Sequence, residues 1–451
     1  MSETQTASRA SAPALEAGAP LQAWLLALFL TACYTLSLID RFILAYVAEP
    51  MKLELGLSDF QVGLIQGFAF SITYAVVGLP LGWAVDRFSR TKLIAGAVAF
   101  WSVMTMLCGT ARGFVSLIAA RIGVGGGEAV LTPASYSIMA DAFPRRQLPV
   151  ASTLYSLGPT FATALAAALS GAVLTAAGTD GQITLPLFGA VSGWRAVLIT
   201  AGAPGLLLAL VAFFWRDPSR TKKVAAAEAG SLVGFMRQHA GTHVTFMFVG
   251  MLPVLGGYAL SAWNPVVLKR EFGWSPAEVG AALGTVGLVC GLAGSLIGGA
   301  ALTWCMRKNR PEYVLMVGAT AQAVLAFCGL TAPFAQSGGQ FVALVALAAV
   351  TTPLMFMLGP TFLQLITPRE LRGRATALSL FVKIGIGAGA GPALVGAVNT
   401  FVFAEREVAL SLGCVIGAAG LIGAVAFVLL VRPIGNYLRH APHMQPEALG
   451  R

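Results

Sequence analysis

Charge is what this sequence has least of. Asp, Glu, Lys and Arg make up only 11% of its 451 residues, against about 25% in an ordinary soluble domain. A water-facing surface cannot be solvated with so little charge, and 57% of the chain is hydrophobic at a mean hydropathy of +0.78. A soluble globular protein is excluded, and lipid must be the solvent over most of the surface. Cysteine is scarce as well. Cys33, Cys108, Cys290, Cys305, Cys328 and Cys414 fall inside or at the ends of apolar runs without metal-ligand spacing, and read as small core residues. No serine elbow, nucleotide loop or metal cluster is present. The string GVGGGE (residues 123–128) lies within an apolar run and no Lys-Ser/Thr follows it, so it cradles no phosphate. No cofactor or metal is expected. The net charge of +10 comes from short basic clusters between apolar runs, with no basic stripe interleaved with aromatics, which speaks against a nucleic-acid partner.

What the chain has is glycine, 52 residues of it, and long apolar stretches. In lipid, small residues let helix backbones approach closely. The runs predict twelve spans near residues 22–47, 60–84, 92–111, 114–140, 149–176, 194–215, 243–267, 276–304, 312–332, 340–366, 375–402 and 407–431. Each is long enough to cross roughly 30 Å of hydrocarbon. The expected fold is an all-α polytopic membrane protein with two six-helix bundles. Its expected parts are a tail at 1–21, a first bundle at 22–215, a linker at 216–242, a second bundle at 243–431 and a tail at 432–451. The first twenty residues have no basic stretch ahead of the apolar run and read as a tail rather than a cleaved signal.

Orientation follows from Lys and Arg. Twenty of them lie in the loops and tails on the side of the termini, and six (Lys52, Arg112, Arg195, Lys269, Arg270, Arg406) lie on the other side. Both termini are therefore expected in the cytoplasm, in a bacterial inner membrane. The halves repeat. SDFQVG from Ser58 matches SPAEVG from Ser275 at an offset of 217, which places Gly82 over Gly299 and Arg90 over Arg307. FPRRQLPVASTL from Phe143 matches TPRELRGRATAL from Thr367 at an offset of 224. Two parallel copies around an axis normal to the membrane are a transporter plan, with substrate held at mid-depth between them. A channel would be expected to show a filter or pore-lining ring instead. A polytopic membrane enzyme would need acid, base or metal groups clustered near one interface.

The loop GWAVDRFSRTK resembles the signature of the major facilitator superfamily, with Gly82, Asp86, Arg87, Arg90 and Lys92 matching and Ser89 where that family usually has Gly. The resemblance implies a gating latch between the halves, in which Asp86 caps a neighbouring helix and the arginines bind acids. Thr303 stands at the Asp86 position of the second half, so the latch would be one-sided. The plainer alternative is a positive-inside loop without a gating role. LIDRF (Leu38 to Phe42) and RIGVGGGEAVLTPASYSIMADAFP (Arg121 to Pro144) resemble the spinster branch of the superfamily. That resemblance implies proton-linked transport of lipid-like or lysolipid molecules. Organic-anion/proton symporters of the same superfamily share the Asp-Arg pair of the first span and stand as the alternative.

Charge inside a membrane is costly and marks function by default. Five side chains qualify: Asp40, Arg41, Arg121, Glu128 and Lys383. Asp40 and Arg121 lie about 9–10 Å deep from the same side, so they would meet if spans one and four are neighbours. Arg121 and Glu128 are two turns apart on one face. Asp40 and Glu128 are the proton-carrying candidates, tuned by Arg41 and Arg121; the structural alternative is a permanent ion-pair network pinning the two spans. At the 224 offset Asp40 maps to Asn264, Arg41 to Pro265, Arg121 to Val345 and Glu128 to Thr352, so the second half lacks these charges. Lys383 would hold an anionic headgroup if it faces a cavity, or snorkel if it lies at the lipid boundary. Thr132, Tyr136, Tyr155, Asn264 and Thr361 are further substrate-binding candidates, each as readily an interhelical hydrogen bond. His239 and His243 read as solvated or interfacial. The expected partners are a small-molecule or lipid-like substrate, protons and membrane lipids, with the protein acting as a monomer.

Overall fold

The structure, a computed structural model, describes residues 19–440 other than 145, 179, 219–230, 309 and 369–370. Twelve helices in it are long and apolar enough to cross a membrane. They are α1 (Leu21–Leu55), α2 (Asp59–Gly78), α3 (Arg90–Gly109), α4 (Phe114–Ala142), α5 (Leu148–Ala176), α6 (Gly193–Phe214), α7 (Ala240–Phe272), α8 (Pro276–Arg307), α9 (Tyr313–Phe334), α10 (Gly338–Phe356), α11 (Arg374–Val402) and α12 (Val408–Arg439). The protein is a multi-pass integral membrane protein. The helix of α2 runs on to Arg87, and that of α10 to Ile366.

The duplication shows in the helix ends. Both α1 and α7 stop at a left-handed glycine, Gly56 (φ 62°) and Gly273 (φ 66°), a conformation that glycine adopts without a Cβ penalty. Ser58 and Ser275 then open α2 and α8 with capping boxes closed by Gln61 and Glu278. These pairs are 217 residues apart. In α4 the helix is interrupted at Ala129–Val130 and in α10 at Val350. Each interruption precedes a proline (Pro133, Pro353) whose missing N–H leaves a carbonyl four residues back without its helical donor. AVLTP and AVTTP therefore superpose at an offset of 220. The expected offset of 224 is too large for these helices. Asp40 and Arg41 pair with Gly257 and Tyr258, and Arg121 and Glu128 with Phe341 and Ala348. The second half still lacks the charges, but at different residues from those expected.

Several helices outrun their expected ends. α1 continues eight residues past 47, carrying Glu49, Lys52 and Glu54 beyond the apolar run, and α12 continues through Arg432. Within the expected linker, Leu232–Gln238 forms a short helix. Between α5 and α6 lies a small antiparallel hairpin, β1 (Gln182–Leu185) with β2 (Gly189–Ser192), which the sequence reading did not anticipate.

The packing divides the molecule along its length. At the end away from the termini, one apolar core joins the halves, with Ile43 and Met51 of α1 packed in the same cluster as Trp263 and Val267 of α7. Toward the termini there are two cores, one around Trp101 and Ile138 in the first half, the other around Leu315 and Phe362 in the second. Two helix crossings carry the seam. Gly280 of α8 sits against the Ala167 carbonyl of α5, and Gly67 of α2 against the Gly389 carbonyl of α11, so tightly that a Cβ at either glycine would clash. The halves are thus bound together at the far end and separately packed at the other.

Candidate functional site

Four intramembrane charges of the first half converge. Asp40, Arg121 and Glu128 are each only 1% exposed. Arg41, on α1, donates from Nε (2.9 Å) and Nη2 (2.7 Å) to Oε2 of Glu128 on α4. Ser37, one turn before Arg41, donates to the same oxygen at 2.5 Å. The guanidinium of Arg41 is also stacked over Phe70 and Tyr74 of α2, 4.2 and 4.8 Å from the ring centroids. A cation held between a carboxylate and two aromatic faces is secured on all sides.

Asp40 is held differently. Its Oδ2 accepts from Thr105 of α3 at 3.1 Å, and its Oδ1 has no partner. Arg121 does not reach this carboxylate, as matched depth suggested. Its Nη1 donates instead to the main-chain carbonyl of Asp40 at 3.2 Å, and its Nε and Nη2 are buried without partners. Glu128 likewise keeps one oxygen, Oε1, unpaired. The cluster thus holds two buried carboxylates, of which only one has a cation on it, and an arginine with donors to spare. Unused buried groups of this kind mark sites of function. Sequence reasoning missed Ser37, Thr105, Phe70 and Tyr74. Ser37 is one turn from Arg41 and was findable by spacing, whereas the other three depend on helix rotation.

The substrate-binding candidates do not form one group. Tyr155 stacks on Tyr34 (4.5 Å between centroids) and meets Tyr136 edge-on (5.3 Å), all within the first half, and Thr132 lies just past the interruption of α4. Asn264 is buried in α7 beside Trp263, toward the shared core. Lys383 lies apart from all of these. It is 7% exposed, within a π-helical stretch of α11 (Phe381–Ala388), and lines a narrow chamber with Thr352 and Ser379. It does not snorkel. The side chain of Thr361 lies outside the described residues.

The signature loop also departs from expectation. Arg90 is buried and binds Asp217 (2.9 and 2.7 Å), Asp141 (2.5 Å) and the carbonyls of Ser137 and Pro218. It ties α3 to α4 and to the segment after α6, within the first half, rather than to the second. Arg87 stacks on Trp83 of its own helix. Gly82 has open space around it, and Asp86 is exposed and engaged in an interaction of its own. His243, expected to be solvated, is fully buried, because its Nε2 bonds the Ile366 carbonyl at 2.8 Å and its ring packs on Tyr437.

Among the described residues, every ion pair joining the halves lies at the far end. Arg270 of α7 binds both oxygens of Asp59 (2.7 Å each) and Glu49 (2.6 Å). Lys52 bridges Asp59 and Glu405 at 2.7 Å each, and Asn399 of α11 donates to Asp59 at 2.6 Å. In the loop after α11, burial acts to raise the Glu405 carboxyl. The hydrogen bonds from Lys52 and from the Asp59 N–H outweigh it and hold the group below the usual carboxylate range.

The family model of the Major Facilitator Superfamily matches residues 30–383. An MFS-type efflux pump of Mycolicibacterium smegmatis is 29% identical over 426 residues, covering 91% of this chain and 93% of that protein. A probable galactarate/D-glucarate transporter of Escherichia coli (strain K12) is 26% identical, covering 64% and 69%. Among solved structures, a bacterial homolog of the human lysosomal transporter Spinster, inward-facing and unoccupied, matches with a TM-score of 0.73 at 24% identity, over 93% of this chain and 97% of that one. The same homolog in its inward-facing, occupied conformation matches at 0.69 and 25% identity.

Proposed function

The chain belongs to the major facilitator superfamily, as a transporter of spinster-like fold, and from that premise we propose that it couples proton movement to transport of an amphipathic or anionic small molecule. The observation that carries this reading is the unequal treatment of the two buried carboxylates. Glu128 has Arg41 on it, while Asp40 has a lone hydroxyl and a bare oxygen. Burying a carboxylate without a cation costs several kcal/mol, and a proton removes that cost. We assign the coupled proton to Asp40. When it leaves, the spare Nε and Nη2 of Arg121 are the donors that receive the carboxylate, which ties proton release to a shift of α1 against α4.

On the expected orientation, with both termini in the cytoplasm of a bacterial inner membrane, the bound-together far end is the outer end. This conformation then opens inward, and alternating access would break the Arg270–Asp59–Lys52–Glu405 latch to open outward. The two bundles, α1–α6 and α7–α12, rock as units around the linker between them. Gly82, Asp86, Arg87 and Arg90 serve as the inner gate, and one protomer suffices for transport. A second reading, an organic-anion/proton symporter, is favoured by the buried Lys383. The galactarate/D-glucarate transporter among its relatives agrees with that reading.

Proteoliposomes loaded with a pH-sensitive dye test the coupling. A benzenesulfonate gradient, or on the second reading a D-glucarate gradient, should drive proton movement with the wild type, and Asp40→Asn and Glu128→Gln should lose it. Undiminished proton movement in Asp40→Asn, or none with the wild type under either gradient, would sink the assignment.

A further inference from the structure

Among the described residues Lys383 is the one charged side chain well inside a span of the second half rather than near its ends, and the coupling cluster does not use it. Its ammonium lies where α7, α10 and α11 meet. A Cβ placed on Gly359 of α10 would come 3.1 Å from Nζ, and one on Gly250 of α7 would come 3.0 Å from Cε, so two glycines make the space its tip occupies. Among the described residues Lys383 has no ion pair and no hydrogen bond, although it is more than nine-tenths buried. Ser379, one turn earlier on the same face of α11, is also buried, and its Oγ has no partner. Thr352 contributes a second hydroxyl to the chamber from α10, and Thr376 of α11 a third. The remaining wall is apolar, with Phe246, Pro253, Val254, Met355, Phe356 and Phe427 among its residues. The backbone around Lys383 is π-helical, a geometry that recurs at functional sites in helices.

Charge balance narrows what this chamber takes. Among the residues that line the chamber, Lys383 is the one that carries a charge, and that charge is a single positive one. One monoanion neutralises it, whereas a second negative charge would be buried without a partner. Four donors, from Lys383, Ser379, Thr352 and Thr376, suit the oxygens of one headgroup. Beyond them the wall offers carbon only, so hydroxyls on the adjoining atoms of a sugar acid would each be left unsatisfied at about 1–3 kcal/mol.

We infer that the Lys383 chamber is the headgroup site for a singly charged amphiphile, a carboxylate, sulfonate or phosphate-ester monoanion whose next atoms are apolar, and that it discriminates against polyhydroxy diacids. This rests on the reading of the chain as a transporter and names its substrate class. The site also touches the seam. Two residues on, Gly385 turns the opposite face of α11 onto Ala75 of α2, so an occupant of the chamber bears on the helix that joins the halves.

The test is equilibrium binding to the purified full-length protein, followed by calorimetry and thermal shift. The probes are benzenesulfonate, its doubly charged relative 1,3-benzenedisulfonate, neutral benzenesulfonamide, and D-glucarate. The monosulfonate should bind at least tenfold more tightly than the other three. Lys383→Met should abolish that binding and Lys383→Arg should keep part of it. Met fits an apolar chamber, and the thermal transition of Lys383→Met without ligand shows whether it is folded. Ser379→Ala, which removes one hydroxyl, should weaken binding several-fold and provides a second, milder variant. Equal binding of the disulfonate or of D-glucarate, no binding of the monosulfonate, or unchanged binding in folded Lys383→Met would overturn the inference. The titration uses no gradient, so its failure leaves the proton-coupling reading standing, and a failed coupling assay leaves this one standing.

Discussion

The two halves fold alike and treat buried charge in opposite ways. In the first half, Arg41 is clamped by Glu128, Phe70 and Tyr74, and four ionisable groups pack against one another at the α1–α4 contact. At the matching place in the second half, Gly257 of α7 is packed against Thr352 of α10 with no room for a Cβ. The charge that the second half does carry, Lys383, stands alone on a different helix. A duplicated scaffold has thus been divided between two tasks. One copy keeps paired charges whose pairing can be exchanged, and the other keeps an unpaired charge that a ligand can complete. Buried pairs are poor devices for stability but good ones for registering a state.

That contrast can be broken most forcefully at Arg41. Arg41→Met leaves Glu128 buried without its cation and should cost about 3–5 kcal/mol, as breaking a buried pair does. Thermal unfolding in detergent reads the loss, and the double variant Arg41→Met/Glu128→Met should recover most of it. Lys383→Met should do the reverse, leaving the unfolding temperature of the unliganded protein unchanged or raised. A large drop there would mean that Lys383 has a structural partner after all.

A smaller effect sharpens the first-half side of the comparison. Phe70→Leu removes the nearer aromatic face and should cost about 1–2 kcal/mol, as desolvated cation–π contacts do. The smallest effect concerns the far-end latch, which crosses between the halves. The Glu405 carboxyl is held below its usual range, so its contribution is complete at neutral pH. It is lost only as pH falls through the depressed value, below the ordinary glutamate range near about 4.3. Cross-linking of paired cysteines across the far end should stay constant from pH 7 to 5 and decline only in stronger acid.

How much of this was legible in the sequence depended on rarity. Asp40, Arg41, Arg121, Glu128 and Lys383 stood out because charge inside apolar runs is rare. Ser37, Thr105, Phe70 and Tyr74 did not, because serine, threonine and aromatics are ordinary in membrane helices. Which arginine meets which acid was not legible. Arg41 rather than Arg121 takes Glu128 because helix rotation decides it, and spacing along one helix carries no information about its neighbour. The repeat was visible, but its register drifted. The capping boxes fix 217 and the proline-linked interruptions fix 220, so a single offset carried from one motif to another assigns the wrong partners. The far-end latch is not legible in the sequence, where Lys52 and Arg270 read only as the minority of basic residues on that side. Their acids, Glu49, Asp59 and Glu405, lie in three separate segments that only the fold joins.

The division of labour is tested most directly in one vesicle experiment, with proton movement and benzenesulfonate exchange measured together in Asp40→Asn and Lys383→Met. Asp40→Asn should lose at least tenfold of the proton movement while still exchanging the probe, and Lys383→Met should lose both. Proton movement persisting with the probe in Asp40→Asn, or wild-type exchange in Lys383→Met, would contradict the account.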